Sequence, residues 1–496
     1  MNNLAELVLD RAGRRPSARF GMADAPLALA EAVTRARRAV GQLAAAGIGA
    51  GSRVAVIGHS DNSYLLTWLA LQLAGCEAGL INPTLPDDLL AAMLDNLRPD
   101  GIAWIGRQPG AVAGPRRIQV DATGLDEGRL LCAGADLAPG DELAPPPGLA
   151  CAPDAVAGYM HTSGTSGVPK FCIQTQRYYL RLGRFIADSM AISPADTVYA
   201  PLPMFHVNPL GYGVVGGLTG GADVLGARRF SASGFWPTVK AAGITVAFLH
   251  APPVAILNRA TTAADAAGHR LRAVFLADET FLETFQAPLG YSCYGSTEAG
   301  GLCHIGVWRL GDRCPHPEGM SRSGNLPRYD VEWRLADDGE ILVRGRQAHV
   351  LASGYRTADG VAPLEQADGW FHTGDVGRVD DEGRLIFVER RSEAIRVKGE
   401  YVPIGYVENR FGGVAGLAEV AIWRRDDPIA GHQVVLYVTA PNGIPRAQIE
   451  ATAQALPPFM RPVEVVRIAA MPRLAGVGKI SRKELPQAAR LESRTL

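Results

Sequence analysis

Apolar positions recur at helical spacing from Leu27 to Ala46, and Gly47-Ile48-Gly49-Ala50-Gly51 breaks that period just before the apolar run Arg53-Val54-Ala55-Val56-Ile57. The change of period predicts an amphipathic helix, a turn and a short buried strand. A second helix follows, with Asn62 or Ser63 as its cap, Leu65 to Leu73 as its apolar face and Gly75 as its stop. Gly79-Leu80-Ile81 then reads as a strand that turns at Asn82-Pro83, and residues 87–97 and 101–105 repeat the alternation. Helix and strand in turn predict a parallel sheet with crossover helices.

Residues 106 to 155 are rich in Gly, Pro and Ala and weakly periodic, so loops and short strands are expected there. Arg177 to Met190 predicts a helix, and Thr197 to Pro203 a strand that stops at Met204-Phe205-His206. Gly211, Gly213, Gly216, Gly217, Gly220 and Gly221 stand among Val and Leu, which fits either close helix packing or a roomy wall beside a ligand. Phe235 to Ala242 reads as a helix, Thr245 to Leu249 as a strand with exit His250-Ala251-Pro252-Pro253, and Arg272 to Leu276 as a further strand. Tyr291-Ser292-Cys293-Tyr294-Gly295-Ser296-Thr297-Glu298 is another exit, rich in hydroxyls. Polar exits at the carboxyl ends of parallel strands are where an open α/β sheet binds ligand.

Helical periodicity disappears after residue 310. Val331 to Leu335, Gly339 to Arg344 and Gly383 to Val388 alternate as strands joined by Asp-Gly-type turns, which predicts a small β-subdomain over about 310–390. Beyond Ser392 the pattern becomes α+β, with a helix from Ile404 to Phe411, strands at Val420 to Trp423 and Gln433 to Val438, and a helix from Pro445. The expected fold class is α/β: an N-terminal domain of doubly wound α/β subdomains plus the β-subdomain over 1–391, and an α+β C-terminal domain over 392–496.

Bulk properties narrow the partners. A chain of 496 residues exceeds what one core organises, and 47% apolar content fills two or more. A net charge of −1 without any basic block excludes the electrostatic footprint of a nucleic-acid or anionic-membrane binder and favours a small molecule. The seven cysteines are scattered and form no C-x-x-C pair, as expected of reduced packing residues in a cytoplasmic protein. The N-terminus lacks a basic n-region and an apolar h-region. The longest apolar run, Leu65 to Ile81, is interrupted by Gln72 and Glu77 and reads as a buried helix, so no integral membrane segment is expected. Lysine occurs only at Lys170, Lys240, Lys398, Lys479 and Lys483, and three of these fall in Gly-rich motifs, where a compact mobile charge has chemical use.

The candidate chemistry centres on Met160-His161-Thr162-Ser163-Gly164-Thr165-Ser166-Gly167-Val168-Pro169-Lys170. Gly164 and Gly167 let backbone N–H groups converge on an anion, four hydroxyls add donors, and Lys170 adds charge, as in a phosphate cradle. It is not the Walker A pattern, because Phe171 and not Ser or Thr follows the lysine. A polar surface loop is the alternative reading.

In this order the segments resemble the adenylate-forming superfamily of acyl-CoA synthetases, peptide-synthetase adenylation domains and luciferases. The motifs that carry the resemblance are Thr162 to Lys170, Tyr294 to Glu298, Trp370-Phe371-His372-Thr373-Gly374-Asp375, Glu389 to Glu400 and Gly478-Lys479-Ile480. Phe235-Trp236-Pro237-Thr238-Val239-Lys240 is similar to the carnitine and crotonobetaine CoA-ligase branch. The resemblance implies that a small-molecule carboxylic acid is activated by ATP and Mg2+ as an acyl-adenylate and passed to coenzyme A.

It also implies roles. Thr162, Ser163, Gly164, Thr165, Ser166, Gly167 and Lys170 would hold the departing phosphates, and Glu298 the metal. Adenine would sit against Ala277, Asp278 and Tyr294, while Gly295, Ser296 and Thr297 would also bind the nucleotide, Asp375 would accept from both ribose hydroxyls, and Arg390 would reach the nucleotide. Lys479 would follow the carboxylate–phosphate junction, delivered by a mobile C-terminal domain. Rotation at the hinge residue Ser392 would then present Arg396, Lys398 and Gly399 for the thiol step. The acyl pocket would use Phe205, His206, Val207, Gly211, His250, Ala251 and Gly295, small and apolar enough for a sizeable apolar acid. His206 would gate the thiol route, a packed core histidine being the other reading. Its presence after Phe205, where amino-acid-activating domains carry Asp, argues against an amino-acid substrate. A carrier protein's phosphopantetheine arm as acceptor and a degenerate, non-catalytic relative are the rival readings, and a homodimer is compatible with either.

Overall fold

The computed structural model describes residues 1–106, 118–127, 129–132, 135–136, 146–162, 169–312, 326–390, 395–473 and 480–492. The chain forms two compact units: Met1–Pro83, Leu94–His161 and Phe171–Arg391 in the first, and Thr84–Met93, Thr162–Lys170 and Ser392–Leu496 in the second.

The first unit is built on two large sheets. In the nine-stranded sheet the order is Leu326–Pro327, His304–Arg309, Leu289–Tyr294, Ala273–Phe275, Val246–Phe248, Thr197–Ala200, Asp223–Gly226, Arg19–Met22, Ala25–Ala28. Its interior from Leu289–Tyr294 to Arg19–Met22 is parallel, and antiparallel strands flank it on both sides. The ten-stranded sheet likewise has a parallel centre of Val156–Thr162, Glu77–Ile81, Arg53–Gly58, Gly101–Ile105 and Ile118–Asp121. One core takes Val54 and Leu80 from this sheet, Val198 and Phe248 from the other, and the apolar sides of the helices Leu4–Arg14, Leu29–Ala45 and Gln176–Ser189. The helix Asn62–Ala74 is buried along its whole length and so belongs wholly to that core.

Several local expectations are revised. Asp61, not Asn62 or Ser63, caps that helix, its side chain accepting from Tyr64 N, while Gly75 ends it in the left-handed conformation. Asn62 turns inward instead, accepting from Met22 N and donating to Ala25 O. The exit His250 to Pro253 opens a helix, Ala251–Ala260, whose first turn holds both prolines, where a missing N–H has no consequence.

The small β-sheet begins at Val331, not near 310, because His304–Arg309 and Leu326–Pro327 belong to the nine-stranded sheet. It consists of Val331–Leu335, Glu340–Gly345, Phe371–Val379 and Leu385–Arg390. The hairpin Tyr355–Thr357 and Gly360–Ala362 leaves it to extend the ten-stranded sheet beside Lys170–Thr175.

The Gly-rich stretch is helical, a wide-turned helix over Asn208–Val215 continuing as Gly216–Gly220. A Cβ at Gly216 would stand 2.7 Å from Ile186 Cγ2, and one at Gly217 2.7 Å from Val224 Cγ2, so close packing is the reason for these glycines.

In the second unit, Glu419–Asp427, Gly431–Thr439 and Pro462–Arg467 form a sheet against Ile404–Gly412. Ile395–Val397 and Glu400–Val402 form a hairpin whose two turn residues, Lys398 and Gly399, have φ of 53° and 88°. That is the turn which suits strand twist, at a cost for the non-glycine Lys398. No helix among the described residues is long and apolar enough to cross a membrane.

Candidate active site

Four neighbouring parallel strands end along one edge of the nine-stranded sheet. Thr197–Ala200 leads to Phe205 and His206, Val246–Phe248 to His250 and Ala251, Ala273–Phe275 to Ala277 and Asp278, and Leu289–Tyr294 to Gly295. The fold therefore brings Phe205, His206, His250, Ala251, Ala277, Asp278 and Gly295 to a single carboxyl edge, where backbone groups beyond the ladder are available to a ligand.

The exits differ in what they offer. Leu276 has φ of 60°, a left-handed conformation rare for a bulky residue, and it turns the chain off the sheet just before Ala277. Asp278 caps the helix Glu279–Phe285, its carboxylate accepting from Phe281 N at 2.7 Å and from Asn258 Nδ2 at 3.0 and 3.1 Å. Its carboxylate is thus tied to its own helix and to Asn258. Gly295 is needed by its own loop, since a Cβ there would lie 2.3 Å from Gly301 O. Gly211 faces Leu182 and Val207, at 2.9 and 3.2 Å from a Cβ, and packs instead of forming an open wall. The rings of Phe205 and His206 stand 4.6 Å apart, and both lie near the ring of His161, at 6.0 and 6.2 Å.

Val156–Thr162 and Lys170–Thr175, the strands on either side of the hydroxyl loop, are hydrogen-bonded neighbours. The buried Thr162 Oγ1 has no hydrogen-bond partner among the described residues, a donor suited to an anion. Ser163, Gly164, Thr165, Ser166 and Gly167 lie outside the described residues, as do Ser392 and Lys479. Arg396, Lys398 and Gly399 belong to the hairpin of the second unit.

Asp375 and Tyr294 meet in the interior of the first unit. Tyr294 Oη donates to Asp375 Oδ2 at 3.1 Å, and the Tyr294 ring stacks on Phe387. Burial first, then the charge of Asp375, push the phenol well above its ordinary value, so it stays a donor. Arg390 stands opposite Asp375 in the antiparallel pair of Phe371–Val379 and Leu385–Arg390. Gly374, at φ of 71°, donates its N–H to Glu340 Oε1.

Glu298 sits in the loop that reverses the chain from Leu289–Tyr294 to His304–Arg309. Its carboxylate is half-buried and accepts a long bond, 3.5 Å, from Tyr355 Oη. The loop backbone is held more firmly: Thr297 O accepts from Tyr178 Oη at 2.9 Å, Glu298 O from Ala352 N at 3.0 Å and Gly301 O from Tyr212 Oη at 2.8 Å. Tyr178, Tyr212 and Tyr355 are the supports that sequence reasoning missed, because a tyrosine on an apolar helix face or in a strand reads as packing, and its hydroxyl's target lies far away in the chain.

The family model described as "AMP-binding enzyme" matches residues 10–360. A 4-coumarate–CoA ligase of Oryza sativa subsp. japonica is 28% identical over 481 residues, 90% of this chain and 87% of that protein. The chain spans 63% of the corresponding enzyme of Arabidopsis thaliana. A crotonobetaine/carnitine–CoA ligase of Salmonella arizonae is 29% identical over 308 residues, 59% of this chain and 58% of that protein. Among solved structures, a double mutant of o-succinylbenzoate CoA synthetase from Bacillus subtilis, bound to its product analogue, superposes with a TM-score of 0.80 over 98% of both chains at 21% identity.

Proposed function

We propose that this chain, which belongs to the AMP-binding enzyme family, is an ATP-dependent acid–thiol ligase that converts a carboxylic acid to its acyl-adenylate and transfers the acyl group to coenzyme A. The observation that carries the reading is the single carboxyl edge of the first unit, where Phe205, His206, His250, Ala277 and Gly295 emerge from adjacent strands. The names of the relatives support it, since the plant and Salmonella proteins are CoA ligases.

A carboxylate resists nucleophiles because its charge repels them and oxide does not leave. Attack of the acid's oxygen on the α-phosphate of ATP forms the acyl–phosphate bond and releases pyrophosphate, and the thiol of coenzyme A then displaces AMP. The first step needs its phosphates neutralised and held in line. Thr162 and Lys170, with the hydroxyl loop between them, serve the phosphates. Asp375, kept in orientation by Tyr294, accepts from the ribose hydroxyls, and an ionised carboxylate suits two adjacent donors. Lys479 serves the adenylation half and not the thiol half.

Among the described residues no group of three or more His, Cys, Asp or Glu side chains could hold a metal. The Glu298 carboxylate, half-buried and accepting among those residues only a long bond from Tyr355, fits an ion that takes one protein carboxylate and completes its shell with phosphate oxygens and water, as Mg2+ does. When bound, Mg2+ supplies charge neutralisation on the phosphates. The acid is of the sizeable apolar class, because the exits assigned to the acyl group, Phe205, Val207, Ala251 and Gly295 beside the half-buried His206 and His250, are mostly apolar.

The test is ATP–pyrophosphate exchange across a panel of aryl, medium-chain and short acids, followed by thioester formation with coenzyme A. Exchange with an apolar acid and a coenzyme A thioester are expected. Absence of exchange with every acid would refute the enzymatic reading, and exchange without any thioester would move the acceptor to a carrier protein.

A further inference from the structure

The loop that carries Glu298 is secured from below by a charge that the adenylation chemistry does not itself use. Arg328 is fully buried, and Asp330, two residues on in a turn closed by Val331 N donating to Arg328 O, is 5% exposed at the side chain. The guanidinium bonds Asp330 through Nε at 2.6 Å and Nη2 at 3.3 Å, and turns Nη1 to Gly300 O at 2.7 Å and Leu302 O at 3.4 Å. Gly300 and Gly301 have φ of 74° and 84°, so the chain between Glu298 and Leu302 follows a path that regular structure does not stabilise. A Cβ on Gly300 would stand 3.0 Å from Arg328 Nη1 and 2.8 Å from Val350 O. Glycine here is the condition for the guanidinium's approach.

Burying an ion pair is a poor way to gain stability, since apolar residues of the same volume commonly do as well. What this pair supplies is geometry. Tyr178, Ala352 and Tyr212 hold Thr297, Glu298 and Gly301, in that order, with neutral donors, whereas Arg328, alone among the described residues, holds the Gly300–Leu302 stretch with a charged one. Among those residues the Glu298 carboxylate has only the 3.5 Å bond from Tyr355 to fix it directly, so its position depends on this backbone. We infer that Arg328, neutralised by Asp330, is a positioning residue for Glu298 that presets the carboxylate for the ATP-bound Mg2+. This rests on the assignment of the metal to Glu298 made above.

The experiment measures the Mg2+ concentration that gives half-maximal binding of a non-hydrolysable ATP analogue, by calorimetry on the full-length protein, together with the thermal midpoint. Four proteins are compared: wild type, Glu298→Gln, Arg328→Lys and the double variant Arg328→Met/Asp330→Leu. The double variant is expected to unfold cooperatively near the wild-type temperature while its Mg2+ requirement rises about tenfold. Arg328→Lys keeps the charge but loses the planar fork, and its requirement is expected to rise about threefold. A wild-type requirement in the double variant, alongside a raised one in Glu298→Gln, would overturn the role of Arg328 and leave that of Glu298 standing. A wild-type requirement in Glu298→Gln would overturn the metal assignment itself. Should the double variant fail to fold, a folded Arg328→Lys with an unchanged requirement overturns the inference.

Discussion

Replacing Tyr294 with Phe removes one atom, the oxygen that donates to Asp375. Tyr294 is 7% exposed and Asp375 6%, so water does not readily replace the lost donor. A hydrogen bond to a buried charge is worth about 1.5–3 kcal/mol. At 3.1 Å this one is longer than a strong hydroxyl–carboxylate bond, which places it near the lower end, about 1.5 kcal/mol. If the bond orients Asp375 for ribose, ATP binding should weaken roughly tenfold with kcat little changed. The phenol stays protonated, so the loss should be constant between about pH 6 and 9. Calorimetric titration of ATP into wild type, Tyr294→Phe, Asp375→Ala and the double variant gives the coupling, expected at about 1.5 kcal/mol because the bond exists only when both partners do. A coupling near zero, with Tyr294→Phe lowering only the unfolding midpoint, would show that the bond serves the fold and not the nucleotide.

Other outcomes follow from the same structure. His304 is 1% exposed, its two ring nitrogens have no hydrogen-bond partner among the described residues, and burial pushes it down to about 4. The unfolded chain then binds the proton first, so stability is full above the ordinary histidine value near 6.5 and falls by about 3 kcal/mol as the pH drops to about 4. His304→Phe should flatten that slope in denaturant titrations at several pH values, and an unchanged slope would refute the assignment. Gly295→Ala, whose Cβ would meet Gly301 O at 2.3 Å, should cost roughly 3 kcal/mol or more in chemical denaturation. Gly374→Ala has open space around its Cβ and should cost only the left-handed backbone penalty, about 1–2 kcal/mol. Lys479→Ala is expected to abolish pyrophosphate exchange while preformed acyl-adenylate still yields thioester; equal loss of both halves would refute the division of labour.

The sequence was most legible where burial alone decides the residue. The run Arg53 to Ile57 reads as a buried strand and is one, because a parallel strand covered on both faces asks only for apolar side chains. The Gly-rich stretch after Pro209 could not be resolved, since a glycine has no side chain to mark which face is buried, and only the positions of Ile186 and Val224 show that these glycines make room for packing. Phe371–Val379 failed differently. Its burial alternates from Phe371 to Gly377, yet two of the inward positions are Thr373 and Asp375, so the apolar alternation that marks a half-buried strand is interrupted where the candidate ribose ligand sits. Arg328 is the same failure in a sharper form. A lone arginine in a polar stretch reads as solvated, and its partner Asp330 stands two residues on, in a turn closed by Val331 N donating to Arg328 O, an arrangement equally common on surfaces. Only the fold, by bringing Gly300 and Leu302 against that turn, converts the pair into an interior support. Asp375 and Arg328 each lie within one residue contact of the carboxyl-edge loops, the first through Tyr294 and the second through Gly300, so the polar interior supports the candidate site at positions that the apolar pattern does not mark.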